Sequence, residues 1–261
     1  MRTIWKGGIQ FGLVYIPIKL YSGVTSHNID LDMLRENDQC PIKYVRVCQK
    51  DGKEVPWDNI VKGFKKDDHY VVLTDEDFEN AAVKNTKTLE IFQFVKVEEV
   101  SPRYFKKTYL IEPEKAAGKT FNLLRRSLEK SGHAGLCRFV LRNREKIGLL
   151  KSAEDHIYLL ELYWHEDLRP LSDTKAPKSR VSKKELELAD LLISQMKGEF
   201  KPETYKDVYQ DRLLKIIKSR GKGKKAAPKA AEEEMDMTEA DELLEQLKAS
   251  LAGLKEEEVD A

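Results

Sequence analysis

The chain has 261 residues, 35% of them charged and 41% hydrophobic, with a formal net charge of +1. That length holds one sizeable domain with appendages or two small ones, and the surplus of charge assigns much of the chain to surface or solvated extension. A balance so near zero argues against a generic nucleic-acid binder, and no apolar run is long enough for a membrane span.

The opening residues Met1-Arg-Thr-Ile-Trp5 lack the apolar stretch and cleavage site of a secretory signal, so the expected location is cytoplasmic. Residues 5–21 are rich in β-branched and aromatic types, with Gly7, Gly8 and Gly12 between them. They read as strand with bulges or sharp bends, and Pro17 suggests an edge or irregular position. Further strands are predicted at 42–47, 69–73, 88–97, 104–111, 135–141 and 157–162. They are short and separated by turn residues such as Asp51-Gly52, which favours an antiparallel barrel or sandwich over a parallel sheet. Thr74 followed by Asp75, Glu76 and Asp77 opens a short helix, and Phe121, Leu124 and Leu128 give a second one over 118–131. Phe11, Tyr15, Phe92, Phe94 and Phe139 sit within apolar runs and are expected in the core.

A polar, Pro-containing link at 171–182 precedes two amphipathic helices. The first, 183–196, carries Leu186, Leu188, Ala189, Leu192, Ile193 and Met196; the second, 205–218, carries Val208, Tyr209, Leu213, Leu214, Ile216 and Ile217. Each is expected to bury its apolar face. Residues 221–231 have no apolar period and read as a flexible basic linker. Thr238-Glu-Ala-Asp241 then caps a terminal helix whose Leu243, Leu247, Leu251 and Leu254 form one stripe, free to dock on the body or to meet a partner. Organisation is thus expected as 1–182, 183–220, 221–237 and 238–261.

Charge is sorted into blocks along this plan. Residues 212–231 hold eight Lys or Arg and no acid, whereas 232–261 hold twelve acids and two Lys. Within the body, 102–151 carries thirteen basic against four acidic residues, and 64–100 carries nine acidic against five basic. Blocks of this kind attract or repel polyanions, although any single block serves equally to solvate a surface.

Enzymatic signatures are missing. Residues 109–120 offer strand, loop and then Gly118-Lys119-Thr120 at a helix start, the setting of a phosphate-binding loop, but Pro113 stands where the first glycine must present its amide. His27, His69, His133, His156 and His165 are scattered, with no HExxH pair, and no Gly-x-Ser-x-Gly elbow exists. The acid pairs Asp67-Asp68 and Glu98-Glu99 read as solvated surface. Cys40, Cys48 and Cys137 are odd in number and contain no CxxC, so they are expected as reduced thiols with Cys137 in the core; a zinc site would need histidines brought beside them.

Nine stretches, in order, resemble the Ku family in its bacterial form. The most specific is Trp5-Lys-Gly-Gly-Ile-Gln-Phe-Gly-Leu-Val-Tyr-Ile-Pro-Ile-Lys-Leu-Tyr21. Residues 43–48, 51–56, 60–64, 70–77, 102–105, 120–128, 139–145 and 200–209 follow in register, and the likeness ends near Gly221. The resemblance implies an α+β protein with an antiparallel β-barrel core, an extended bridge arm, flanking helices and a helical C-terminal region, and no von Willebrand-like domain before it. It implies a nucleoid-associated homodimer, not an enzyme and without a cofactor. Such a dimer encircles ends of double-stranded DNA without regard to sequence and recruits the ATP-dependent DNA ligase of bacterial end joining. By that analogy Lys6, Lys43, Arg46, Lys62, Lys65, Lys66, Lys106, Lys107, Arg142 and Arg144 are the candidate DNA contacts, with Asp67 and Asp68 weighing against Lys65 and Lys66. Lys222, Lys224 and Lys225 of the linker would add non-specific attraction, and Leu243, Leu247 and Leu251 would meet the partner.

Two other classes compete: a small-barrel binder of chromatin or single strands, and a protein-only adaptor. Single-strand binders need exposed aromatic platforms for stacking, so the expected burial of the five aromatics speaks for a duplex.

Overall fold

The computed structural model describes residues 1–25, 27–81, 87–174, 179–221 and 245–249. The chain divides into two units, Met1–Asp173 and Thr174–Ala261.

In the first unit β1 (Trp5–Phe11) and β2 (Val14–Ser22) form a hairpin whose turn holds Gly12 at a φ of 59°. After a long insertion come β3 (Lys62–Lys66), β4 (His69–Leu73) and the short helix α1 (Asp75–Ala81). Then β5 (Thr88–Lys96) and β6 (Phe105–Pro113) precede helix α2 (Gly118–Ser131), and β7 (His133–Leu141), β8 (Arg144–Ala153) and β9 (His156–Leu162) complete the set. Seven strands close into a barrel in the order β1-β2-β6-β9-β8-β7-β5, while β3 and β4 pair separately.

The alternation of β2 shows why the sheet closes: Ile16, Ile18 and Leu20 are fully buried and meet Ile9, Leu89, Phe139, Leu150, Ile157 and Leu159 inside. Gly148 lies on this inner face because a Cβ there would stand 2.9 Å from Leu159 and 3.2 Å from Phe139. Helix α2 adds Phe121, Leu124 and Leu128 to the same cluster, and its Arg125 reaches Asp155 in the β8–β9 turn at 3.0 Å. The helix therefore covers the end of the barrel marked by that turn. Outside the wall, Ala134, Leu149 and Leu162 form a second cluster beneath Val97, Val100 and Tyr104 of the β5–β6 connection.

Several expectations need correction. One of the seven pairings, β1 with β5, is parallel, so the barrel is mixed. Of the two positions open to Pro17, an edge or an irregular one, it takes the second: Gly8 opposite it donates to Lys87 on the far side, and towards β6 the carbonyl of Pro17 accepts from Glu114 at 3.0 Å while the β2–β6 ladder starts only at Ile18. Residues 42–47 form no strand: Val47 alone makes an isolated bridge, to Glu54 across the turn in which Gly52 has a φ of 68°, and a separate bridge, Leu34–Pro41, precedes them. Strand β8 escapes the sequence pattern because Leu149 and Leu150 are buried on opposite faces, which erases alternation. Of the five aromatics expected in the core only Phe139 is buried; Phe11 is half-buried, and Tyr15, Phe92 and Phe94 are 54%, 46% and 47% exposed.

The cap at Thr74 matches its sequence signal. Thr74 and Asp77 exchange hydrogen bonds at the start of α1, the Asp77 amide donating to Thr74 Oγ1 and the Thr74 amide to Asp77 Oδ2. In the second unit Ser182 and Glu185 do the same for α3 (Lys183–Gln195). Asp207 accepts from Gln210 to open α4 (Val208–Arg220), three residues later than the apolar pattern suggests. No residue of α3 or α4 is buried, against the expectation that each buries an apolar face; Leu186, Ile193, Val208 and Tyr209 are exposed. Among the described residues no helix is long and apolar enough to cross a membrane.

Candidate nucleic-acid interface

The β7–β8 hairpin turns through Arg142 and Asn143, both left-handed at φ 54° and 60°, the conformation of a tight two-residue turn. Leu141 therefore faces Arg144 across the hairpin, and Arg144, Lys146 and Gly148 follow one another on the inner face of β8. On β6 the same parity places Lys107 with Tyr109 and the buried Ile111, and on β9 it places Glu161 beyond Ile157 and Leu159. Barrel order β6-β9-β8 puts Glu161 between the two basic strands, with Lys107 and Gly148 as its ladder partners. The inward row thus changes from apolar to charged at the end of the barrel away from α2. A cavity of about 310 Å³ opens there, lined by Ile4, Lys107, Tyr109, Leu141, Arg142, Arg144 and Lys146.

Glu161, only 3% exposed, organises this mouth. Its Oε1 accepts from Lys146 Nζ at 2.5 Å and lies 3.5 Å from Lys106 Nζ; its Oε2 accepts from the Tyr109 hydroxyl at 2.7 Å. Burial pushes the Glu161 carboxyl up, but the hydrogen bonds from Lys146 and Tyr109 and the charges of Lys146 and Lys106 outweigh it and hold the group below its ordinary range. Burial first, and then donation to Glu161, push the Tyr109 phenol well above its ordinary value, with Arg142 pulling the other way. Tyr109 is therefore a neutral donor at any physiological pH. Lys106 also lies 4.9 Å from the Tyr163 ring centroid and Lys107 5.4 Å from that of Tyr109. Among the described residues no carboxylate lies within ion-pair distance of Lys107, Arg142 or Arg144.

Of the residues singled out in the sequence, Lys107, Arg142 and Arg144 come together at this cavity, and Lys106 joins through Glu161. Lys6 stands elsewhere, exposed on the outer face of β1 opposite Lys19 of β2. Lys43 and Arg46 are exposed in the insertion, Arg46 stacking its guanidinium 4.4 Å from the Trp57 ring. Lys62, Lys65 and Lys66 line β3, with Lys62 4.8 Å from the Phe78 ring, and Asp67 and Asp68 form the β3–β4 turn. None of these shares a hydrogen bond or ion pair with the mouth. Lys222, Lys224, Lys225, Leu243 and Leu251 lie outside the described residues; Leu247 lies within them, half-buried.

Lys146, Glu161 and Tyr109 escaped the sequence reading. The period-2 spacing of Arg144 and Lys146 was the available signal, hidden because β8 does not alternate. Cys137 is fully buried, its thiol pushed up by burial and donating to the Gly148 carbonyl at 3.4 Å; Cys40 is exposed and all three thiols are free. Among the described residues no group of three or more His, Cys, Asp or Glu could hold a metal ion.

Fold and site define a β-barrel protein with a cationic mouth. Comparison with known proteins narrows this. Residues 10–188 match the family model described as the Ku70/Ku80 beta-barrel domain. The chain is 36% identical over 241 residues to "Non-homologous end joining protein Ku" of Pseudomonas aeruginosa, covering 90% of this chain and 82% of that one. Proteins of the same name from Archaeoglobus fulgidus and Bacillus subtilis are each 35% identical, the first over 98% of this chain and all of its own, the second over 87% and 74%. The chain belongs to the Ku family.

Proposed function

We propose that this Ku-family chain binds ends of double-stranded DNA without sequence specificity, as a ring-shaped homodimer, and that it recruits or stimulates an ATP-dependent DNA ligase in non-homologous end joining. Family membership over residues 10–188 carries this reading, including its non-enzymatic character. The chemistry of the charged groups supports it. Duplex DNA presents one phosphate charge per roughly 1.7 Å of axis, and a protein that accepts any broken end must bind backbone and not bases. Lys6, Lys43, Arg46, Lys62, Lys65, Lys66, Lys106, Lys107, Arg142 and Arg144 are the contacts assigned to that backbone, and Lys222, Lys224 and Lys225 add non-specific attraction.

Exposed apolar side chains support the dimer. Ile42, Val61 and Phe64 of the insertion, and Leu186 and Ile193 of α3, present surface that a monomer leaves in water and a second copy would cover. Leu243, Leu247 and Leu251 are the proposed ligase contact. Action at the nucleoid in the cytoplasm follows from these partners.

Exposed Phe92 and Phe94 give the single-strand reading its best footing. Phe92, however, already carries the Arg138 guanidinium 5.1 Å from its ring, and Phe94 lines a groove beside Leu123 and Leu128 of α2, so neither is a bare platform. Titration of duplex binding across salt tests the proposal, with an expected log–log slope of about −0.9 for each phosphate contact and indifference to base sequence. Changing Arg142 and Arg144 together to Glu should weaken binding with the melting temperature retained; unchanged affinity would remove them from the interface.

A further inference from the structure

We propose that the barrel mouth beside Glu161 is a discrete binding site for a phosphate monoester, distinct in chemistry from the diester backbone of a duplex. Three observations carry this. First, the cations converge on a recess: Lys107 comes from β6, Arg144 and Lys146 from β8 and Arg142 from the turn, around a cavity of about 310 Å³. A recess of that size admits one phosphate group and a small substituent, whereas a duplex passing the mouth would offer only diester monoanions across its rim. Second, charge is left over. Glu161 is satisfied by Lys146 at 2.5 Å, Lys106 at 3.5 Å and the Tyr109 hydroxyl at 2.7 Å, so Lys107, Arg142 and Arg144 line the cavity with no carboxylate partner among the described residues. Third, low-dielectric walls focus that charge, because Ile4, Leu141 and the ring of Tyr109 form the rest of the lining.

The two arginines offer forked donors suited to phosphate oxygens, and the strand lysine adds a point charge. A monoester dianion balances two of the three unpaired cations, and a diester monoanion only one. The site is therefore selective for the doubly ionised form, whose second pKa is about 6. The charged and titratable groups lining the recess are Lys107 and Tyr109 from β6, Arg142 from the turn and Arg144 and Lys146 from β8; behind them Glu161 of β9 contacts Tyr109 and Lys146, and Lys106 of β6 contacts Glu161. No histidine is among them, so pH dependence between 5 and 8 belongs to the ligand.

The occupant has two possible sources with the same chemistry, the 5′-terminal phosphate of a DNA end or a free phosphorylated metabolite. Calorimetric titration of the full chain with phenyl phosphate, at constant ionic strength and without DNA, decides the site independently of the end-joining reading. One phenyl phosphate per chain is expected at pH 8, about tenfold weaker at pH 5 where about a tenth is dianionic, and dimethyl phosphate should bind at least tenfold more weakly. Lys107→Ala and Arg144→Ala, at exposed positions and with melting temperature retained, should each weaken binding at least tenfold. No binding, equal binding of the diester, or binding indifferent to both variants would overturn the proposal. Repeating the titration with saturating short duplex separates the sources: competition by 5′-phosphorylated but not 5′-hydroxyl ends assigns the site to DNA, and indifference to both assigns it to a free monoester.

Discussion

The barrel and the insertion between its second and fifth strands are built from similar residues in opposite ways. In the barrel, eleven large side chains are essentially inaccessible. Across residues 24–81 not one described residue is buried, although Val24, Leu31, Ile42, Tyr44, Val61, Phe64, Tyr70 and Phe78 are all apolar or aromatic and exposed. Local devices fix the insertion's backbone: the Thr74–Asp77 capping box, the Arg35–Asp38 ion pair at 2.5 Å, the Arg46–Trp57 stack and the β3–β4 hairpin. Such contacts shape a chain without supplying the burial that stabilises a domain. The lesson is that the barrel carries the stability of this unit, and the insertion has apolar surface to give to a partner.

Core truncation should separate the two regions most sharply. Phe139→Ala in the barrel is expected to cost about 3–5 kcal/mol, whereas Val61→Ala in the insertion should stay within about 0.5 kcal/mol, both read by urea denaturation at low protein concentration. A large loss from Val61→Ala under those conditions would mean the insertion is already packed in the isolated chain.

The next effect belongs to Glu161, the one buried carboxylate among the described residues. Glu161→Ala strands Lys146 and Tyr109 and should cost about 1–3 kcal/mol, discounted from a fully buried pair because Lys146 is 21% and Lys106 40% exposed. Its pH signature has a definite sign. A carboxyl held below its unfolded value, about 4.3 for glutamate, contributes stability above that value and loses it as pH falls through the lowered folded value. The gap between wild type and Glu161→Gln should thus be full at pH 6 and shrink below about pH 4; a gap that widened on acidification would contradict the assignment.

The smallest expected effect on DNA comes from the tail. Removing residues 232–261 takes away twelve acids and two lysines, so duplex binding should hold or tighten slightly while ligase stimulation drops. Abolished binding would place the tail in the folded body.

Much of this was legible in the sequence, for identifiable reasons. Strands with one buried face, such as β2 with Ile16, Ile18 and Leu20 inside, announce themselves by alternation, and the helix start at Thr74 by its cap. Strand β8 did not, since both of its faces are covered, and with it went Lys146 and the mouth that Arg144 shares. Tyr15, Phe92 and Phe94 are exposed although their apolar runs predict core, because an apolar run does not say which of its residues face outward. Glu161 was silent as well: a carboxylate at an inward position is explained only by cations that reach it from two neighbouring strands.

The most direct test of threading is competition between DNA topologies. A surface patch binds any stretch of phosphate backbone, so closed circular and linear duplex would compete alike. Two chains that encircle the duplex can enter only at a free end, and phosphate contacts without register then let them slide inward. Labelled linear duplex should be displaced far better by linear than by relaxed closed-circular competitor at matched base-pair concentration and near-physiological salt, with the linear advantage growing as the same mass is cut into more fragments. Equal displacement by the closed circle would contradict encirclement and leave a sequence-independent surface binder in its place.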